Sequence, residues 1–500
     1  MSRLIGCRVW FDWDFNGTFT DESANLVRCE GEARFHPPEA AITASQGIVD
    51  RCSIELRNTA GRYSALNTGG ALYAYVQGGG AYHVPVRVDT TINGTDYVRV
   101  FTGVTKIPRE TGRSWQEMPT VSFECRGLDE LLLQKRMSTT QSGMVTRYTT
   151  GFTEAQIIDA FLVAAGVTGQ QIDAGMITIP WSWLDNESVL EDVWTLAAAT
   201  GGRFYYDKSG VPRYENMAHW IKSPHKTSQA TYTNADWQTF EAVYDDNELY
   251  DSISVEYAGR QPDTVAVLWE PDEDVIVPAG TTSVITATFS NPAYTTPALT
   301  WRAATLGGTD ITASVSVGVT QYAQRAVLTI TNSHATLQAR ISPFQLSGRP
   351  VVGSPSAEET RTAAADGTNA AFFTNRGSRD KSVRGNVYIQ TKAQAGFLAQ
   401  LLLDRYEFPL LSYRLGGMLA DPARIPGDRI TVNDVSVMSS GRPAMVIGIS
   451  WRFTEMAYTM DVEAVDASTL YRYLDTSPSY FVVGTNKLGA ADPLRARIFY

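Results

Sequence analysis

The stretch VWFDWDFNGTFTDESANLV, Val9 to Val27, decides how the rest of the chain is read. Aromatic residues alternate with acids as far as Asn16-Gly17, the pattern of a strand with one buried face that runs into a tight turn. A second block, Ala33 to Asn67, reads ARFHPPEAAITASQGIVDRCSIELRNTAGRYSALN. Within it Cys52-Ser53-Ile54-Glu55-Leu56 alternates with the same period of two, and the Asn58-to-Tyr63 segment reads as a loop. The chain downstream reads as the same kind of object, repeated and decorated.

A length of 500 residues exceeds one hydrophobic core, so roughly two to four domains are expected. Hydrophobic residues make up 43% and charged residues 19%, with abundant Gly and Tyr, which suits turn-rich β structure better than helical bundles. The formal net charge is −11 and no dense Lys/Arg run occurs. That balance disfavours gripping nucleic acid by its phosphates and is compatible with a surface past which DNA slides. Cys7, Cys29, Cys52 and Cys125 form no C-x-x-C and lie far from zinc-finger spacing, so they read as reduced core residues, with one incidental bridge open. The start, MSRLIGCRVWFDWD, lacks the apolar core of a secretory signal, and no apolar run is long enough for a membrane-spanning helix.

In order, residues 1–136 read as a first tube-like β-barrel, with Val84, Val86 and Val88 alternating against Pro85, Arg87 and Asp89. Residues 137–220 read as a small α+β domain. Thr153 caps a helix carrying Ile157, Ile158, Phe161 and Leu162; a second helix follows Asn186 and stops at Gly201-Gly202. The segment from Arg203 to Glu215 then reads as a hairpin turning at Asp207-Lys208-Ser209-Gly210. Residues 221–260 and 386–475 read as a second tube-like β-barrel, and 261–385, rich in Thr, Ser and Val, as an inserted β-sandwich. Residues 476–500 read as an extended tail. The expected class is therefore mainly β with α+β: two barrels, a small α+β domain and a sandwich insertion.

The sharpest chemical candidate is Asp12-x-Asp14-x-Asn16-Gly17, whose alternating oxygen ligands and glycine match the first half of a calcium loop. The residue that should complete such a loop is Ser23, with Asp21 and Glu22 falling early, and helical flanks are lacking. A hairpin turn with acids on its solvent face is the competing reading. No cofactor is expected, Ca²⁺ being the alternative at Asp12, Asp14 and Asn16. His36, His83, His219, His225 and His334 are scattered, and the metalloprotease, serine-hydrolase and nucleotide-binding signatures are all missing, so the chain reads as a non-enzyme.

Several segments resemble the baseplate hub, or tail-tip, proteins of tailed bacteriophages. They are Val9-Trp-Phe-Asp-Trp-Asp-x-Asn-Gly; Ser53-Ile-Glu-Leu-x-Asn-x-x-Gly-Arg-Tyr-Ser; Phe101-Thr-Gly; Cys125-Arg-Gly-Leu-Asp; Gly201-Gly-Arg-Phe-Tyr-Tyr-Asp; and Pro426-Gly-Asp-Arg-Ile with Val446-Ile-Gly-Ile-Ser-Trp. The order of these motifs carries the resemblance more than any one of them. It implies a structural virion protein at the tail tip, assembled in the host cytoplasm. It further implies a homotrimer whose six barrels ring a channel for tape-measure protein and DNA. The partners implied are a distal tail or tail tube protein, the tape measure and a central fibre or receptor-binding protein, with DNA passing unbound. Two other readings stay open: a hexameric distal tail ring protein, with one barrel per chain, and a cell-wall or polysaccharide-binding module or hydrolase built on 261–385.

Overall fold

The computed structural model describes residues 4–36, 46–73, 83–111, 119–138, 152–219, 222–245, 249–362, 374, 377–406 and 410–467. The glycine-rich segment at 77–80 and the extended tail expected at 476–500 lie outside these residues. The fold is mainly β, and its largest sheet, of 17 strands, contains two lobes of eight and six strands and three short strands at 171–172, 203–206 and 212–215.

The first lobe comprises β1 (Gly6–Phe11), β2 (Thr20–Asp21), β3 (Leu26–His36), β4 (Gly47–Arg57), β5 (Pro85–Thr91), β6 (Val98–Thr105), β7 (Arg109–Thr111) and β8 (Thr120–Gly127). Its strands run β2-β1-β5-β6-β8-β4-β3, every pair antiparallel, with β7 prolonging β6 along β8. Alternation explains why these residues form strands. On β4 Cys52, Ile54 and Leu56 point into the lobe, while Arg51, Ser53 and Glu55 point out. Phe11 and Trp13 stack in the lobe with ring centroids 4.7 Å apart, and Phe123 and Tyr63 close around them. Glu22, almost fully buried, accepts hydrogen bonds from the indole of Trp13 at 3.1 Å, from the Tyr63 hydroxyl and from Arg62 at 2.7 Å, so its charge is matched. The cysteines are free thiols gathered in this lobe: Cys29 and Cys52 lie 3.7 Å apart, and Cys52 stands opposite Cys125. Burial raises the pKa of the Cys29, Cys52 and Cys125 thiols.

A helical layer follows: α1 (Asp129–Gln134), α2 (Glu154–Ala164) and α3 (Val189–Thr200). A capping box of Thr153 and Gln156 starts α2. The Ser188 hydroxyl accepts the Glu191 N–H at the start of α3, and Gly201, at φ +70°, ends it in the left-handed conformation glycine takes freely. The hairpin β9 (Arg203–Tyr206) and β10 (Pro212–Glu215) turns where the sequence indicates. Its tip enters the junction between the lobes. There the Thr102 hydroxyl donates to the Lys208 carbonyl at 2.7 Å, and the Lys208 ammonium donates to the carbonyls of Pro422 at 3.0 Å and Arg424 at 2.5 Å. Burial pulls the Lys208 pKa down to about 8 and, reinforced by Asp129, pushes that of nearby Asp50 up to about 7.

The second lobe comprises β11 (Ala230–Thr233), β12 (Thr239–Asp245), β13 (Leu410–Leu419), β14 (Arg429–Asn433), β15 (Arg442–Thr454) and β16 (Tyr458–Asp466). Its order is β11-β14-β15-β16-β13-β12. The apolar side chains of the two lobes form one buried cluster, which includes Cys29, Ile449 and Trp451 on the strands that join them. No hydrogen-bonded seam joins the end strands of either lobe among the described residues; chain continuity, β2 to β3 and β11 to β12, bridges the gap.

The inserted sandwich packs one sheet (266–269, 275–277, 298–304, 339–348) on another (282–288, 315–321, 325–332) around Leu328, Ile330, Ile341 and Phe344. Ser252–Tyr257, assigned above to the second barrel, pairs instead with Ala357–Thr362 and Asp380–Val383. Its Ile253 and Val255 are buried in the helical layer, against α4 (Lys392–Tyr406). Alternation alone marks a half-buried strand without saying which core receives it.

Candidate channel wall

The lobes meet where β3 pairs antiparallel with the far half of β15, from Arg28 opposite Thr454 to Arg34 opposite Gly448. The near half of that same edge of β15 pairs with β14. The joint depends on glycine: Gly31 stands opposite Trp451, and a Cβ on Gly31 would overlap the indole ring. With that overlap avoided, β8, β4, β3, β15, β16, β13 and β12 form one uninterrupted sheet across both lobes.

The face of this sheet that points away from the lobe centres is hydrophilic. Alternation puts Arg28, Glu30, Glu32 and Arg34 of β3 on it, while Cys29, Gly31, Ala33 and Phe35 face inward. A recess of about 580 Å³ opens over the joint, where charged residues such as Glu30, Glu32, Arg51, Arg126 and Arg452 share the lining with Cys52, Trp451 and Met460. Carboxylates of this face pair with Arg28, Arg34, Arg57, Arg414 and Arg452, whereas Arg51 and Arg126 have no carboxylate within ion-pair distance among the described residues. Glu30 accepts from Arg28 and from Arg452, the latter at 3.3 Å. Arg34 lies between Glu463, which it contacts directly, and Glu32 at 3.8 Å. Arg414 reaches Glu241 at 3.5 Å, Arg57 pairs with Glu455, and Arg51 stands opposite Glu32 in the β3–β4 register. Across β4–β8, Arg51 also faces Arg126, a like-charged neighbour. These groups are about one-third to two-thirds exposed, so such pairs contribute roughly 0–1 kcal/mol each. They shape the surface potential more than the stability.

The sequence candidates lie elsewhere. Asp12 is buried; its two carboxylate oxygens accept the backbone N–H groups of Asn16 at 3.1 Å and Gly17 at 2.8 Å. The Asn16 side chain accepts the Thr18 N–H at 2.7 Å, and Asp14 is exposed. Left-handed φ values fall on Phe15 and Gly17 rather than on an Asn-Gly pair. The chain therefore turns through a loop at 12–19 braced by Asp12, not through a two-residue hairpin turn. Among the described residues no group of three or more His, Cys, Asp or Glu is arranged to hold a metal ion. The histidines are dispersed in structural contacts. His36 stacks on Trp194, His334 accepts the Leu337 N–H, and His219 meets Asp173 at 2.8 Å. His225 is buried beside His219, and burial lowers its pKa to about 4. The wall went unassigned in the sequence, although RCEGEAR at 28–34 announces it: charges at every second position, with only small or sulfur side chains between them.

No family model matches the chain, and no curated protein matches it. Solved structures similar to it include the tail protein from Neisseria meningitidis MC58, at 11% identity and a TM-score of 0.46, covering 93% of this chain and 98% of that one. The 43 kDa tail protein of prophage MuSo2 from Shewanella oneidensis matches at 12% identity and 0.48, covering 93% and 99%. A prophage tail protein from Listeria monocytogenes EGD-e matches at 9% and 0.42, covering 92% and 94%. These are tail proteins, the broad class the sequence motifs resemble. A likeness this loose carries no argument about function, which rests here on the chain's own strands.

Proposed function

We propose that the chain is a structural subunit of a phage tail tip, a hub of which three copies form a ring around a channel for tape-measure protein and DNA. One observation carries this reading. The lobes share a strand plan in which β12 corresponds to β3, β13 to β4, β14 to β5, β15 to β6 plus β7, and β16 to β8. Even the irregularity recurs: β15 shifts register against β16 after Val446, and β6 gives way to β7 against β8 between Thr105 and Arg109. Within one chain the far half of β15 receives β3. The corresponding edges, of β7 and of β12, pair with no other described strand. An open edge on a seven-residue strand such as β12 is a ready site for a second chain. Repeating the internal joint between copies places two lobes per copy around a ring, and six lobes from three copies would match a sixfold tail tube. Two lobes in one chain weigh against a sixfold ring built with one barrel per subunit.

On this reading the chain works in the virion as a structural part, beside a tail tube or distal tail protein on one side and a central fibre or receptor-binding protein on the other. Mass measurement and electron-microscopic class averages, with and without assembled tail tube, test it. Expected are particles of three chains with six lobes around a hole. A monomer that forms no ring even beside the tube, or a ring of six chains, would overturn it.

A further inference from the structure

The sheet face across the lobe joint carries arginines, and its carboxylates engage Arg28, Arg34 and Arg452 while Arg51 and Arg126 stand beside them without an ion pair among the described residues. Glu30 holds both Arg28 and Arg452, and Arg34 is flanked by Glu32 and Glu463. The pairs cross the lobe boundary: Glu30, Glu32 and Arg34 belong to β3, Arg452 to β15 and Glu463 to β16. Exposed pairs of this kind add little to stability, so stability does not account for concentrating them on one face. What they change is the field a passing charge meets. A phosphate backbone binds by releasing counterions onto free Lys and Arg, with affinity growing for each phosphate neutralised. An arginine already engaged by a carboxylate offers a phosphate no net charge.

We propose that this face is a self-screened arginine surface, built so that duplex DNA slides along it without binding, and that Glu30, Glu32 and Glu463 are the residues that screen it. The proposal rests on the channel reading for its biological setting, but its chemistry is a property of the single chain. The arginines remain useful once screened, because their long stems shield the sheet while the face as a whole stays near neutral. An unscreened acidic wall would repel the duplex, and an unscreened basic one would hold it.

The test is duplex binding by the full chain, using a labelled 20-base-pair DNA at a series of salt concentrations. The wall variant is Glu30→Gln with Glu32→Gln and Glu463→Gln. The control, Glu270→Gln with Asp272→Asn and Glu273→Gln, makes the same charge change on exposed residues of the insertion. The parent and the control should show only weak binding. The wall variant should bind at least ~10-fold more tightly near 50 mM salt, with the slope of log K against log salt steeper by about 0.9 for each arginine released. Thermal melting of all three should coincide. Equal gains in both variants, or none in a wall variant that melts like the parent, would overturn the proposal. Because the assay needs no ring, a failure here leaves the assembly reading standing, and a failure to form rings leaves the screening measured.

Discussion

The two lobes follow one strand plan, and they differ where the plan meets the outside. The first lobe spends the edge of β3 on β15 inside the same chain, whereas the matching edge of β12 in the second lobe has no described partner. At the other end of the order, β1 lies antiparallel to β5, while β11 lies parallel to β14. Among the described residues the second lobe thus has no antiparallel counterpart of β1 and no counterpart of the 12–19 loop. One lobe plan therefore ends in a joint satisfied within the chain in the first lobe and in an edge without a described strand partner in the second.

Severing the internal joint gives the largest expected effect. Trp451 is buried over Gly31, and Trp451→Ala removes the ring that ties the lobes together, at a cost of about 3–5 kcal/mol. Gly31→Val attacks the same contact from the other strand by overpacking, at about 1–3 kcal/mol or more. Hydrogen exchange should then accelerate in 28–34 and 448–454 ahead of the sandwich. Uniform acceleration across the chain would mean that the joint is not a separate unit of stability.

How far the sequence revealed this depends on the residue. The alternation of Val84, Val86 and Val88, the Asp207-to-Gly210 turn and the caps at Thr153 and Gly201 are local signals, and the structure forms each as read. The β3 strand carries a weak sequence signal because its inward positions Gly31 and Ala33 have little or no side chain and Cys29 has a small one. The apolar mass they need arrives from Trp451, some 420 residues later. Which charges share a face likewise depends on pairing between distant strands, so the wall could not be assembled from spacing alone. Ser252–Tyr257 shows the same limit: its period was legible, its destination was not.

A smaller effect separates the lobes at the tip of the β9–β10 hairpin. Lys208 meets the second lobe through backbone carbonyls, but the first lobe offers it Asp50, a buried carboxyl. Burial raises Asp50 to about 7 from an ordinary value near 4. A raised carboxyl pKa means the folded state favours the protonated form. Stability is therefore lost as pH climbs from about 4, where the unfolded chain ionises, to about 7, and stays lost above that. Asp50→Asn should stabilise the protein by about 2–4 kcal/mol at pH 7.5 and by almost nothing at pH 4. Thermal melts at the two pH values check it. A destabilised variant at pH 7.5 would show that the carboxylate is ionised there and held by Lys208.

The smallest effect concerns the loop only the first lobe has. Asp12, Asp14 and Asn16 present the donor types of a calcium site, yet both oxygens of Asp12 and the side-chain oxygen of Asn16 already accept backbone N–H groups within the loop. An ion would have to displace those hydrogen bonds, so its binding energy would be spent on replacing contacts rather than adding them. Millimolar Ca²⁺ or a chelator should move the melting temperature by less than about 1 °C, since ligand stabilisation requires concentrations well above Kd. Asp12→Ala should cost about 1–3 kcal/mol, because it leaves the Asn16 and Gly17 N–H groups without their acceptor. A calcium-dependent rise of several degrees, abolished by Asp12→Ala, would instead mean that the loop reorganises around an ion. It would also make this end of the first lobe a calcium-regulated element of the chain.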